Sequence, residues 1–282
     1  MIKLGRTFYA LAIVVYGIQQ FVYGDFRNVL FPPWQQHLPG LPVWAYSFGV
    51  YLIVSGTLML RGKHVKNVAL GLGGVFLFLF CFCHIPYELI SEPNKSYHLG
   101  LWVNALKELA LAGGAFVIAE TANQNSTIRK SIVLQVLEKI SPYGSILFCF
   151  TMISFGIAHF MYAEFVSTTV PKWFPDPMFW TYFAGVALIG SGTCIVLNIR
   201  MQVIALLLGL MIFLWFACLH VPGAINDPFV DRGNLVASAF DALAFSGIAW
   251  SIAFGLTKQK WIEDIAFSTG QLNQRDATHL PR

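Results

Sequence analysis

The chain has 282 residues, of which only 11% are charged, against about 25% in ordinary soluble domains, while 56% are hydrophobic and the mean hydropathy is +0.63. Too little polar surface remains to cover a soluble globule of this size, and a net charge of +4 scattered over short loops excludes a nucleic-acid binder. Five cysteines, an odd number lying mostly in apolar runs, exclude a disulfide-stapled domain and leave an all-α, polytopic membrane protein.

Runs of about 20 mainly apolar residues are long enough to cross a hydrocarbon core of about 30 Å as helices. Eight transmembrane helices are predicted, at 6–24, 42–60, 67–86, 100–119, 143–163, 179–198, 201–222 and 234–255. The first has the basic start of a signal peptide, but it lacks a small-residue cleavage site and has a copy in mid-chain. Thirteen Lys and Arg fall in the loops on one side of this arrangement, against Arg27, Lys95, Lys172 and Arg232 on the other, so both termini are predicted to be cytoplasmic. Lys107 lies inside a span.

The two halves of the chain match each other. Gly17-Ile-Gln-Gln-Phe-Val-Tyr-Gly-Asp-Phe26 reads against Gly156-Ile-Ala-His-Phe-Met-Tyr-Ala-Glu-Phe165 at an offset of 139, which also pairs Trp34 with Trp173. After a loop difference the offset becomes 136, matching Ser55-Gly56-Thr57 with Ser191-Gly192-Thr193 and His84-Ile-Pro86 with His220-Val-Pro222. In the fourth helices an offset of 133 pairs Glu108 with Asp241. Each unit has an even number of spans, so the copies are parallel repeats related by a pseudo-two-fold axis along the membrane normal. Residues 1–120 form the first four-helix repeat, 121–142 a cytoplasmic linker, 143–256 the second repeat and 257–282 a polar cytoplasmic tail in which Trp261 and Phe267 rest at the interface. The linker is polar at Asn123, Gln124, Asn125 and Ser126 and basic at Arg129 and Lys130; its part 128–140 is amphipathic enough to lie on the membrane surface.

Polar identities kept in both copies mark the candidate pocket residues: Gln20 with His159, Tyr23 with Tyr162, His84 with His220 and Glu108 with Asp241; Asp25 and Glu164 also correspond. A carboxylate in mid-membrane costs about 3 kcal/mol on insertion scales, so Glu108 and Asp241 must be protonated, paired or hydrated. Helix rise places each set in the outer half, where each repeat encloses a polar pocket beneath the loop carrying Trp34 or Trp173. The other readings are interfacial caps for His84 and His220, an interhelical hydrogen bond for the carboxylates, and aromatic-belt anchoring for the tyrosines. The Ser-Gly-Thr triplets read as close-packing positions. Lys107 has no repeat partner and is placed to reach across the axis to Asp241. Cys81-Phe-Cys83-His84 is not kept in the second half, and residues two apart on a helix do not face each other, so these read as apolar thiols rather than a dithiol or metal site.

These features, with Trp173-Phe-Pro175, Phe179-Trp-Thr-Tyr-Phe-Ala-Gly185 and the Ala-Leu-rich fourth helices, resemble the DoxX-like membrane protein family in a double-length form, over roughly residues 5–255. The resemblance implies a bacterial cytoplasmic (inner) membrane protein associated with quinone-linked or thiol and sulfur redox chemistry. It further implies quinone as the cofactor and a redox partner protein, and it supplies no catalytic residues. Two other classes stay open: a small-solute transporter or binding protein using the paired pockets, and a non-catalytic membrane scaffold.

Overall fold

A computed structural model describes residues 2–34, 38–91, 94, 97–122 and 131–256. The readings made for Asn123–Ser126, Arg129, Lys130, Lys95, Trp261 and Phe267 lie outside the described residues.

Among the described residues the fold is helical without strands: α1 (Ile2–Tyr23), α2 (Leu41–Leu60), α3 (Val65–Leu79), α4 (Ile85–Ser91), α5 (Val103–Thr121), α6 (Ile132–Ile140), α7 (Gly144–Met161), α8 (Ala163–Ser167), α9 (Pro177–Val196), α10 (Met201–Trp215), α11 (Val221–Asn226) and α12 (Asn234–Ser251). Six helical segments among the described residues are long and apolar enough to cross a membrane: Leu41–Leu60, Val65–Ser91, Ile132–Met161, Pro177–Val196, Met201–Asn226 and Val230–Gly255. The other two predicted spans are also helices, α1 and α5. Lys3 and Arg6 open α1, and α5 carries Lys107, Glu108 and Glu120 in 19 residues. Every residue of α5 from Glu108 to Ala119 is buried, and a helix walled by protein tolerates charge that a lipid-facing helix does not. The outer helices present the opposite surface: Val50, Val54, Phe78, Val186, Leu207 and Leu214 are each more than half exposed, an apolar exterior that fits a lipid bilayer.

The His-Xaa-Pro segments do not end their helices. A π-turn at Phe80–His84 joins α3 to α4, and a second at Phe216–His220 joins α10 to α11. The wider turn accommodates a proline that has no N–H and whose ring clashes with a regular preceding turn. His84 therefore lies inside a continuous helical segment, which removes the reading of it as a helix-end cap.

The helices meet through glycines, and the contacts recur between the halves. Gly17 packs on Gly49 to join α1 and α2, and Gly156 packs on Gly185 to join α7 and α9. Gly5 meets Gly247 to set α1 against α12, while Gly144 meets Gly113 to set α7 against α5. Gly73 lies under Phe116, and Gly209 under Trp250.

At the centre, α5 and α12 run parallel in a seam of seven-residue spacing. Lys107 pairs with Asp241, the space beside Gly114 is filled by Ile248, and Thr121 fills the space beside Gly255. All three pairs stand at an offset of 134 in the sequence, as do Gly113 with Gly247 and Phe116 with Trp250. This differs by one residue from the 133 read from sequence. Ala-Leu-rich helices align almost equally well in either register, and only the contacts decide between them. In the observed register the counterpart of Asp241 is Lys107 and that of Glu108 is Ala242, so the two carboxylates do not occupy equivalent positions.

Helix α6 begins at Ser131, whose hydroxyl accepts from the Leu134 amide at 3.3 Å. It is held inward by Leu137 against Gly74 and by the Lys66–Glu138 ion pair at 3.0 Å, and it exposes Ile132, Val133 and Val136 on its other face. Residues 132–140 thus have the amphipathic character expected of them.

Candidate functional site

Helix α1 sends one stripe inward. Tyr9, Ile13, Tyr16 and Gln20 recur at helical spacing and are all fully buried. The Tyr9 hydroxyl donates to the Leu111 carbonyl of α5 at 2.7 Å, and the Tyr16 hydroxyl donates to Asp241 Oδ1 of α12. Gln20 lies one turn farther along the same stripe, and neither its amide nitrogen nor its amide oxygen has a protein partner.

The first polar cluster joins the π-turn to α5. His84 Nε2 lies 3.4 Å from Glu108 Oε2, with side-chain exposures of 1% and 0%. The His84 ring sits against the backbone of Val29, yet neither ring nitrogen makes a hydrogen bond of good geometry, and both Glu108 oxygens are likewise unpaired by hydrogen bonds. The thiols of Cys83 and Cys81 lie near the Glu108 carboxyl group.

The second cluster lies across the seam. Lys107 Nζ is 2.8 Å from Asp241 Oδ2, so the charge pairing expected from sequence is present, with Tyr16 on the other carboxylate oxygen. His220 is within electrostatic reach of both Lys107 and Asp241. His159 Nδ1 is 2.7 Å from the Phe155 carbonyl, and its ring lies nearly parallel to that of Trp215 at a centroid distance of 6.3 Å. A carbonyl only accepts, so Nδ1 carries a proton, and in the neutral form of the ring Nε2 is an acceptor.

The tyrosines tie the two halves together near these clusters. Tyr162 accepts from the Gly100 amide at 3.3 Å, and the Tyr23 hydroxyl abuts Gly233. Beside Tyr23, Arg27 lies 4.7 Å over its ring and donates to the Arg232 carbonyl, while Arg232 donates to Asp25 and Gln19 donates to the Gly233 carbonyl at 3.0 Å. Burial pulls the Arg27 guanidinium below its ordinary pKa, an effect that the neighbouring Asp25 opposes. This network fixes three successive left-handed residues, Asp231, Arg232 and Gly233 at φ 45°, 55° and 76°, which form the turn into α12.

Tyr16 is the site residue that comparing the halves misses. Its counterpart is Phe155, so a filter for retained polar groups discards it, although its position in the inward stripe with Tyr9 and Gln20 was available as a signal. Glu108 and Asp241 fall in different clusters, each with a histidine from the π-turn of its own half.

Comparison of the chain with models of protein families, with curated proteins and with solved structures gave no match.

Proposed function

We propose that this integral membrane protein is a DoxX-like component of a quinone-linked redox system in the bacterial cytoplasmic membrane, with its two polar clusters binding quinone head groups near the outer face. In this reading eight helices span the bilayer as two parallel four-helix repeats, both termini are cytoplasmic, and the ends of α1 and α7 face outward. The observation that carries it is the fully buried Gln20 amide, which has no hydrogen-bond partner among the described residues, together with the buried His84 and Glu108, which meet each other at 3.4 Å and are otherwise without a hydrogen bond of good geometry. An unsatisfied buried polar group costs about 1–3 kcal/mol, so buried polar groups left short of partners in an apolar bundle support a bound ligand. A quinone fits because its flat ring partitions into lipid and its two carbonyl oxygens require donors, which the Gln20 amide, an imidazole and a protonated carboxyl group supply. These side chains do not carry electrons, so the reading includes a partner enzyme that delivers them.

A second reading, a proton-coupled carrier of a small solute, is favoured by the Lys107–Asp241 pair at the meeting line of the two halves, where repeat transporters place their coupling groups.

The test is organic extraction of the detergent-purified protein followed by mass spectrometry. The redox reading predicts quinone at one per chain or one per repeat, with strong depletion in a Glu108→Gln variant that still folds. Stoichiometric absence of quinone in the unaltered protein refutes it.

A further inference from the structure

The two clusters are covered very differently. In the first half the segment after α1 folds down onto the bundle: Phe26 is 8% exposed, Val29 4% and Leu30 fully buried, and His84 beneath them is 1% exposed. At the same offset of 139, the second half has Phe165 at 73% exposure and Thr168 and Thr169 in place of Val29 and Leu30. Both threonines are exposed and donate their hydroxyls to carbonyls of their own segment, Phe165 and Val166. Trp173 is 67% exposed against 38% for Trp34, and His159 and His220 are only partly buried. The counterpart in the second half of the apolar plug that closes the first cluster is therefore an exposed segment with threonines in place of the buried Val29 and Leu30.

We propose that the second cluster is the exchanging site for a quinone or quinol head group, and that residues 163–176 are the lid that closes over it as residues 25–34 lie over His84. The inference rests on the quinone reading and assigns the exchange to one half.

The chemistry of the cluster suits that class of ligand. Trp215 and His159 lie nearly parallel and offer a flat surface. The neutral His159 ring accepts from a quinol hydroxyl at Nε2, and the Lys107 ammonium donates to a quinone oxygen, while Asp241 and Tyr16 hold that ammonium in place. Two exposed aromatic rings, Phe165 and Trp173, are available to replace water above the ligand on closure. Lys172 is exposed within the lid and is followed by Trp173, so trypsin can cut there while the lid is open.

The experiment titrates the detergent-purified full chain with a short-chain benzoquinone, reading binding by calorimetry and lid position by the rate of tryptic cleavage after Lys172. Saturation is expected to slow that cleavage at least tenfold. Binding is expected to weaken at least tenfold in both His159→Ala and His220→Gln. A Thr168→Val/Thr169→Leu variant alters only exposed positions and rebuilds the plug of the first half, so it is expected to slow cleavage without any quinone. The proposal is overturned if bound quinone leaves the Lys172 cut unchanged, if the plug variant is cut as fast as the parent, or if His159→Ala and His220→Gln both bind quinone as tightly as the parent. In the last case the quinone reading stands and only its location moves, whereas failure of the unaltered chain to bind any quinone overturns both.

Discussion

Replacing Lys107 by Met removes one member of a buried ion pair and leaves the other, Asp241, held only by the Tyr16 hydroxyl. The side chains of Lys107 and Asp241 are 17% and 5% exposed, so the stranded carboxylate keeps little access to water. Breaking such a pair costs about 3–5 kcal/mol when both groups are fully buried, and the partial exposure of Lys107 puts this one near the lower end, about 3 kcal/mol. Asp241→Asn strands the ammonium instead and is expected to cost a similar amount. The double variant keeps an amide oxygen for Tyr16 and leaves no charge behind, so it is expected to lie within about 1 kcal/mol of the parent. Thermal unfolding of all four proteins in one detergent closes the cycle. At about 2 °C per kcal/mol for a chain of this size, each single variant should melt about 6 °C lower, with most of that loss recovered in the double. If the single losses simply add, with coupling below about 0.5 kcal/mol, the pair does not hold the seam together and the reasoning fails.

Further outcomes follow from the same contacts. A methyl group at Gly113 lies 2.5 Å from the Gly144 carbonyl oxygen, so Gly113→Ala should lower stability by about 1–3 kcal/mol, whereas Gly190→Ala, with nothing within 4 Å, should be neutral or stabilising in the same melts. Tyr16→Phe deletes a hydrogen bond to a carboxylate and should cost about 1.5–3 kcal/mol, a loss that falls to about 0.5–1.5 kcal/mol, that of a neutral hydrogen bond, if Asp241 is already Asn. Gln20→Leu replaces an unpartnered buried amide with an apolar group of similar size; it should raise the melting temperature of ligand-free protein and weaken quinone retention, and a fall in that temperature would contradict the assignment.

Part of the helix packing was legible because residues 17–26 and 156–165 read against each other. Matching Gly17 with Gly156 and Gly49 with Gly185 identified residues that do meet in pairs, one pair in each half. The reach of Lys107 to Asp241 was legible as well, since an unpaired buried cation needs an anion nearby. The register of α5 against α12 was not, because Ala and Leu recur so often in both helices that a shift of one residue costs almost nothing in similarity. The continuation of the helices through Pro86 and Pro222 was hidden for a different reason. Proline signals an ending in a regular helix, and no local sequence rule announces the π-turn that admits it. The unequal covering of the two clusters stood in plain view as Val29-Leu30 against Thr168-Thr169, but its meaning depends on knowing that the first pair is buried over His84.

The most direct measurement of the central claim is photolabelling of the purified protein with an azido-benzoquinone, followed by peptide mapping. The account predicts label within residues 80–91, the segment that carries His84, and within 155–162 and 215–226, the segments that carry His159, Trp215 and His220, with competition by unlabelled quinone. Label confined to the exposed faces of α2 and α9 and insensitive to competitor would contradict it, since that is the pattern of a quinone dissolved around the protein rather than bound in its polar clusters.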